Sequence, residues 1–491
     1  MYNFCLLQFA EFLRLTNKLQ LPEVDFEDPE NTIDSKILEA FITVRNGDGI
    51  KAKKILEEIN WNLDEMNQFA LNTINAYTLW QTSQNEEMFK IVKGNLENAK
   101  SSESPFFKYF RAMNLHLMGN YYWDDGKLPR SLKYFSESLE LKNELNDYLG
   151  SADTMTNITQ IYLDLGNADK SLEYLSQAKQ AYSRIKSDLG LNYVKIFQCD
   201  LERRFGNFES ALITAQETAA YFKETPSSIY YAISLHELGT CLRRLGRYEE
   251  AKDQLEKSIQ IKKHTQNYFE LLHGYLELAY LLIDMDENEE LNNLLEEIKT
   301  LPTVERIAYL EIQRKLIEAI ILKSKPNLSS KVKAQTFLEE IIMDPNIEYH
   351  QMLKFAALVN LLEINILELK VSPNQEILEK IRFYVSILEK LGEKTSIPTI
   401  SISCEIIKGN FEVVNGHLDI ALAILQNALE KANERNIQHL VTQINNDIAQ
   451  ITDLIGIWER FLSSEYSEKF KLIDLQNYLR EVSQNLDTRK Y

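Results

Sequence analysis

A chain of 491 residues is too long for one compact core, so it forms either several domains or an extended array. Only 16 glycines and 10 prolines interrupt it, and its 44% hydrophobic and 26% charged residues exclude low-complexity disorder and favour helix. The net charge of −19 disfavours binding to nucleic-acid backbones and to anionic membranes.

The first 34 residues are predicted to be a segment of their own, an N-terminal helix followed by an acidic loop. Residues 1–15 are largely apolar, but they contain Glu11 and lack a basic leader, so we predict an amphipathic helix rather than a secretory signal. Residues 16–34 are acidic and contain two prolines, which indicates a loop. The four cysteines of the chain form no C-x-x-C pair, so neither a disulfide framework nor a zinc site is expected, and a reducing cytoplasm fits best.

The strongest signal follows in the middle of the chain, where glycines stand forty residues apart. Each is followed five residues later by Ser or Ala. The four glycines are Gly126, Gly166, Gly206 and Gly246. A fixed period of this length is typical of a repeat array, in which each copy buries its apolar face against its neighbours.

The copy at 234–263 shows what one unit is. Leucines recur at helical spacing up to Gly246, where glycine can end the helix in the left-handed conformation. A second helix is predicted to start near Tyr248, and its buried face carries Ala251, Leu255 and Ser258. Small residues on both helices allow close approach, so the unit is an antiparallel helical hairpin.

These residues resemble the tetratricopeptide repeat. Leu238-Gly239, Gly246, Tyr248 and Ala251 match its pattern directly, and the copies around the other three glycines agree. The resemblance implies an all-α, right-handed superhelical solenoid of antiparallel hairpins that presents a concave groove to a protein partner. The forty-residue spacing is similar to the lengthened repeats of kinesin-light-chain-like and MalT-like arrays, and implies longer helices with a longer inter-repeat loop.

The register predicts about eleven hairpins over residues 35–465. Asp286 and Pro326 replace glycine while the spacing holds, and further turns are expected near 83–86, at 371–374 and at Gly416 and Gly456. The array is irregular at 326–416, where an insertion at 326–330 delays a second helix. Residues 466–491 are predicted to be a capping helix and tail.

No motif in the chain carries recognisable catalytic or metal chemistry. There is no phosphate-binding glycine loop and no nucleophile elbow. The acidic run from Asp284 imitates a calcium loop, but Glu289 and Leu295 occupy the positions that need glycine and glutamate. No two of the seven histidines are spaced i, i+4. We therefore expect no cofactor, no metal and no enzymatic activity.

The resemblance also allows a test of the clamp with which members of the family hold chaperone C-termini. His116, Asn120 and Asn157 occupy three of its places, but Tyr193 and Phe197 stand where Lys and Arg are required. Chaperone-tail binding through this clamp is therefore not expected, although the same groove would suit a peptide with apolar side chains.

Paired arginines recur at the forty-residue period, Arg203-Arg204 and then Arg243-Arg244. Stacked repeats would place the pairs side by side, where they could hold an acidic peptide or a phosphate. The alternative is structural: the arginines pair with Glu202, Glu249 or Glu250 and offset the negative ends of their helices. Both interpretations stay open at this point.

The sequence thus predicts a non-enzymatic interaction scaffold that binds a peptide or helix of a protein partner in the concave groove, without nucleic acid or membrane. The alternative is a sensor of MalT-like or quorum-receptor-like type, which would compact around a peptide or small molecule and act through a separate effector. The predicted groove contacts are Asn120, Asn157, Arg203, Arg204, Arg243 and Tyr280.

Overall fold

The structure, a computed structural model, is all-α throughout the part of the chain that it describes. The described residues are 33–45, 49–59, 65–82, 84–98, 105–225, 228–264, 268–301, 308–372 and 374–461. The N-terminal helix and loop predicted before residue 33 and the cap predicted at 466–491 lie outside these residues. Across the described ranges, no helix combines the length and apolar character that a bilayer crossing requires.

Within the described residues, ten helical hairpins and one further helix follow one another. The first helices are α1 Ile33–Arg45, α3 Glu65–Gln81, α5 Pro105–Asp124, α7 Tyr148–Asp164, α9 Asp188–Arg204, α11 Ser228–Arg244, α13 Tyr268–Asp284, α15 Ala308–Ser324, α17 Gln351–Val371 and α19 Pro398–Asn415. The second helices are α2 Gly49–Glu57, α4 Asn85–Asn98, α6 Leu128–Glu144, α8 Ala168–Arg184, α10 Phe208–Lys223, α12 Tyr248–His264, α14 Asn288–Thr300, α16 Leu328–Met343, α18 Gln375–Lys394 and α20 Leu418–Glu434. Helix α21, Gln438–Phe461, follows them.

The forty-residue period arises from helices of 17 residues joined by turns of three. Helices α7, α8 and α9 are each 17 residues long, and both the turn within a hairpin and the turn between hairpins take three residues. The expected longer inter-repeat loop is therefore wrong, because the added length lies in the helices.

Most of these turns use a residue in the left-handed conformation. Within hairpins this residue is glycine, with φ between 72° and 86° at Gly126, Gly166, Gly206, Gly246 and Gly416. Asp286 takes the same role with φ of 58°, which confirms that it stands in for glycine. A side chain in this region is tolerated best when it is Asn or Asp, because their short polar groups can hydrogen-bond locally.

The register slips at Pro326, whose ring fixes φ and excludes the left-handed turn. Helix α16 instead begins at Leu328, capped by Asn327, whose side chain accepts from the Ser330 amide at 2.7 Å. The predicted insertion at 326–330 is thus wrong, since the second helix starts on time. Its buried face, which begins at Ala334, comes three residues later than the register predicts.

The last predicted turn is also wrong, because α21 continues through Gly456. Each of the five left-handed glycine turns is followed by a polar or charged residue, whereas Ile457 follows Gly456. Glycine alone therefore does not end this helix. The turns expected near 83–86 and 371–374 are confirmed by the breaks between α3 and α4 and between α17 and α18.

First helices form the inner layer of the solenoid and second helices the outer layer. Helix α12 shows the outer pattern, with one buried stripe and a solvated opposite face. Helix α17 is buried on all sides along 351–366. The two layers approach closely where a side chain is missing: a Cβ on Gly119 would lie 2.6 Å from the Phe135 ring.

The solenoid also contacts itself across a large sequence distance. His350, at the start of α17, lies 3.1 Å from the Gly126 carbonyl, 224 residues earlier. The Ser396 hydroxyl accepts from the Ala168 amide at 2.7 Å, 228 residues earlier. The irregular repeats therefore lie against the turns of the regular ones, and one superhelical turn is packed on the next.

Candidate partner-binding inner face

We define the inner face as the polar side chains with which α5, α7, α9, α11 and α13 contact one another. Their bonds join one first helix to the next rather than a first helix to its hairpin partner. One register position illustrates the character of this face, because all five of its residues are at most 1% exposed: Asn120, Gln160, Asp200, Thr240 and Tyr280. The face is therefore a buried polar layer instead of an open groove.

Asn120 and Asn157, two of the predicted contacts, are brought together. The Asn157 amide donates to the Asn120 side-chain carbonyl at 3.1 Å and lies 3.2 Å from Nε2 of His116. The other ring nitrogen of His116 contacts the Thr154 hydroxyl at 3.1 Å. Asn157 is half-buried while Asn120 is 1% exposed, so Asn157 is the more accessible member of this cluster.

A second cluster joins the two halves of the chain. The Trp123 indole donates to Asp164 at 3.1 Å. The Tyr309 ring packs against the His350 ring at 4.6 Å between centroids. Burial raises the pKa of the Tyr309 hydroxyl far above its usual range, and the negative charge of nearby Asp164 raises it further. The inner face thus receives side chains from the C-terminal repeats.

Arg203 and Arg204 are 3% exposed, and both pair with Asp200 on their own helix. Nε of Arg204 contacts the two carboxylate oxygens of Asp200 at 2.9 and 3.0 Å. Arg203 also lies 3.6 Å from Glu237 on α11. The guanidinium groups are therefore held within a charged network that links successive first helices.

Arg243 repeats this arrangement one copy later. It is 4% exposed, donates to Glu277 at 3.2 Å and to Asp284 at 3.0 Å, and lies 5.4 Å from the centre of the Tyr280 ring. Two predicted contacts, Arg243 and Tyr280, thus touch each other. The ion pairs with α13 raise the pKa of Arg243, although burial opposes the charge.

The arginines pair with acidic side chains, as the structural alternative expects, but their partners are not Glu202, Glu249 or Glu250. Glu202 receives the Thr214 hydroxyl, and Glu250 pairs with Arg247 on the exposed surface. The acidic partners that sequence reasoning missed are Asp200, Glu237, Glu277 and Asp284. The forty-residue register carried a signal for two of them, since Glu237 and Glu277 share one position.

The aromatic residues at the clamp positions pack within the protein. Phe197 is 1% exposed and belongs to a core cluster, and the half-buried Tyr193 contacts the Tyr230 ring at 4.7 Å between centroids. Among the described residues, no group of three or more His, Cys, Asp or Glu side chains could hold a metal ion. That the six predicted residues contact a partner stays a prediction.

Comparison with known proteins identifies the repeat. The tetratricopeptide repeat family model matches residues 110–184 and 196–264, which correspond to helices α5 to α12. No curated protein matched the chain in a sequence search.

A search of solved structures found several similar chains. NprR in complex with its cognate peptide NprX is 16% identical, with 73% of this chain and 100% of that chain covered at a TM-score of 0.51. A Rap protein complexed with Competence and Sporulation Factor is 11% identical, with 84% and 98% covered at a TM-score of 0.48. The apo form of NprR from B. thuringiensis is 17% identical, with 73% and 98% covered at a TM-score of 0.47. At these identities the likeness concerns the fold alone.

Proposed function

Because residues 110–184 and 196–264 match the tetratricopeptide repeat, we propose that the chain is a non-enzymatic interaction module whose inner face binds a peptide or helix of a protein partner. The observation that carries this proposal is the buried polar layer itself. Its Asn, Arg, Asp and Glu side chains recur on five successive first helices, where a purely structural array would place apolar residues.

Energetics support a role beyond stability. A buried ion pair recovers little more than the cost of removing its charges from water, and apolar replacements of similar volume are often equally stable or more stable by about 1–4 kcal/mol. Arg203, Arg204 and Arg243 with their acidic partners are therefore a poor way to stabilise a solenoid. They are well suited to exchange partners with a charged ligand.

The asparagines suit an extended ligand. A side-chain amide offers donors and an acceptor, so it can pair with both the N–H and the C=O of a peptide backbone. Asn120 and Asn157 stand on neighbouring first helices and already exchange one such bond. NprR, which shares the fold, was solved with a peptide, and this agrees with the proposal.

The experiment starts from peptides selected on the full-length protein from a random twelve-residue display library. The affinity of the tightest peptide is then measured by calorimetry for Asn157→Ala, Arg243→Ala and Arg247→Ala. Arg247 is the matched control, since it is exposed and pairs only locally with Glu250. We expect at least a tenfold loss for the first two variants and less than a twofold change for the control. Equal affinities for all three would refute inner-face binding.

A second function, a shape-changing sensor that acts through a separate effector, is favoured by the self-contacts of the solenoid. The regular turns at 126 and 166 are already bonded to the C-terminal repeats, so little further compaction is available. A sensor would therefore expand on binding, whereas a rigid scaffold would keep its dimensions. Small-angle scattering with and without the selected peptide separates the two, because an unchanged radius of gyration excludes the sensor.

A further inference from the structure

The glycine turns that set the period have a second role. Three of the four, at 126, 166 and 206, are covered by the C-terminal repeats, and we refer to this line of contacts as the seam. Gly126 and Gly166 are buried and Gly206 is half-buried, whereas Gly246 is exposed. The seam therefore ends between the third and fourth copies.

Each covered turn offers carbonyl groups from the end of a first helix, which have no partner within that helix. His350 lies 3.1 Å from the Gly126 carbonyl. The Gly166 carbonyl accepts from the Ser396 amide at 2.7 Å and from the Thr395 hydroxyl at 3.1 Å. These groups could equally be hydrated, so the bonds exchange with water at little net cost.

The third turn is held by a similar bond and by side-chain packing. The Thr399 hydroxyl donates to the Arg204 carbonyl at 2.6 Å. The rings of Phe208 and His439 lie 5.1 Å apart. A Cβ added to Gly206 would lie 2.7 Å from Cγ2 of Ile437, whereas a Cβ on Gly246, at nearly the same φ, would meet nothing within 4 Å.

The seam differs from the interfaces between adjacent hairpins, which combine the polar contacts of the inner face with an extensive apolar core. The large hydrophobic core of the C-terminal half spans residues from 259 to 451, and the earlier residues that join it are Ala168 and the half-buried Phe205. Contacts across the seam are thus mainly hydrogen bonds to turn carbonyls. Such an interface can separate while every hairpin on either side stays packed.

We propose that the seam is an intramolecular lock that keeps the inner face closed, so that a peptide reaches the inner face only after the C-terminal repeats release the glycine turns. This inference rests on the proposed binding at the inner face and joins it to a change of shape, so it predicts an expansion on binding and excludes a rigid scaffold. It accords with the burial of Arg203 and Arg204, which precede the third covered turn and are each 3% exposed. The bonds that must break for the seam to open are those that His350, Ser396 and Thr399 make with the glycine turns.

The first test holds the lock shut. In the full chain, Ala168→Cys is combined with Ser396→Cys, because the Ala168 amide and the Ser396 hydroxyl are 2.7 Å apart and the two residues face each other across the seam. The probe is the library-selected peptide, and its association rate is measured before and after oxidation. We expect at least a tenfold slower association when oxidised and recovery on reduction. Equal rates in the two forms would overturn the lock.

The parent protein, oxidised in the same way, is the control, because Cys199 and Cys241 are native thiols only 4.0 Å apart. Peptide mapping under non-reducing conditions verifies that the engineered bond has formed.

The second test loosens the lock without using the peptide. Spin labels at the exposed positions of Lys170→Cys and Lys394→Cys, on either side of the seam, report its separation. Gly206→Ala strains a covered turn, and Gly246→Ala applies the same backbone strain at the uncovered one. We expect a second, longer distance only in Gly206→Ala, together with at least threefold faster peptide association. Identical distance distributions in the two variants would overturn the proposal.

The experiments test peptide binding at the inner face separately from opening of the seam. If the peptide binds without depending on Asn157, the proposed function is wrong, and the spin-label distances still decide the seam. If the seam opens in Gly206→Ala but the peptide associates no faster than with Gly246→Ala, inner-face binding stands and autoinhibition is wrong.

Discussion

Replacing Gly206 by alanine should destabilise the protein much more than the same change at Gly246. Both residues have positive φ, 82° and 72°, so each substitution carries a left-handed strain of about 1 kcal/mol. At Gly206 the new methyl group would also lie 2.7 Å from Cγ2 of Ile437 and 3.1 Å from Cε1 of His439. Overpacking of this kind costs about 1–3 kcal/mol, so we expect about 2–4 kcal/mol for Gly206→Ala and about 1 kcal/mol for Gly246→Ala.

A double-mutant cycle isolates the seam contribution. Ile437→Ala removes the nearest atom that the new methyl group would strike, while the contact with His439 remains. In that background Gly206→Ala should therefore cost less than it does in the parent. Urea titration followed by far-ultraviolet circular dichroism, with the four proteins compared under one condition, measures the free energies of unfolding. A cost for Gly206→Ala that is unchanged by Ile437→Ala, or equal to that of Gly246→Ala, would refute the reasoning.

Further predictions concern titration, turn strain and buried charge. Burial and the nearby Arg244 lower the pKa of His439 to about 4, so the unfolded chain binds the proton more tightly than the folded protein does. The free energy of unfolding should therefore fall by about 3 kcal/mol as the pH drops from 6.5 to 4. Urea midpoints measured across this range should lose that dependence in His439→Gln. Asp286→Gly should raise stability by about 0.5–1 kcal/mol in the same titration, because glycine adopts φ of 58° without strain; a lower midpoint would contradict this. Arg243→Ala should cost about 3–5 kcal/mol by leaving the buried Glu277 uncompensated, and a loss below about 1 kcal/mol would show that the pair contributes little.

Local chemistry made much of the fold predictable. The glycines spaced forty residues apart placed the hairpins around them correctly, because a left-handed turn is one that few residues other than glycine can adopt. Asp286 was predicted as a glycine substitute and has positive φ. The errors came where one residue was taken as sufficient: Pro326 delays the buried face rather than the helix, and Gly456 ends nothing.

The candidate site was predictable in composition but not in burial. The register predicted Asn120, Asn157, Arg203 and Arg243 as groove contacts on successive first helices, and the structure shows them bonded to neighbouring first helices. That they contact a partner stays a prediction. The register could not reveal that one superhelical turn closes on the next. The period fixes how neighbours stack, but contacts 224 to 230 residues apart depend on small rotations added over many repeats.

The most direct measurement is to locate the selected peptide on the protein. A version of the peptide that carries one benzophenone side chain would be cross-linked by light, and the attachment sites would be mapped by mass spectrometry. We predict attachment to the first helices α5 to α13, with loss of cross-linking when the engineered 168–396 disulfide is closed. Attachment confined to the outer second helices, such as α8, α10 and α12, would contradict binding at the inner face.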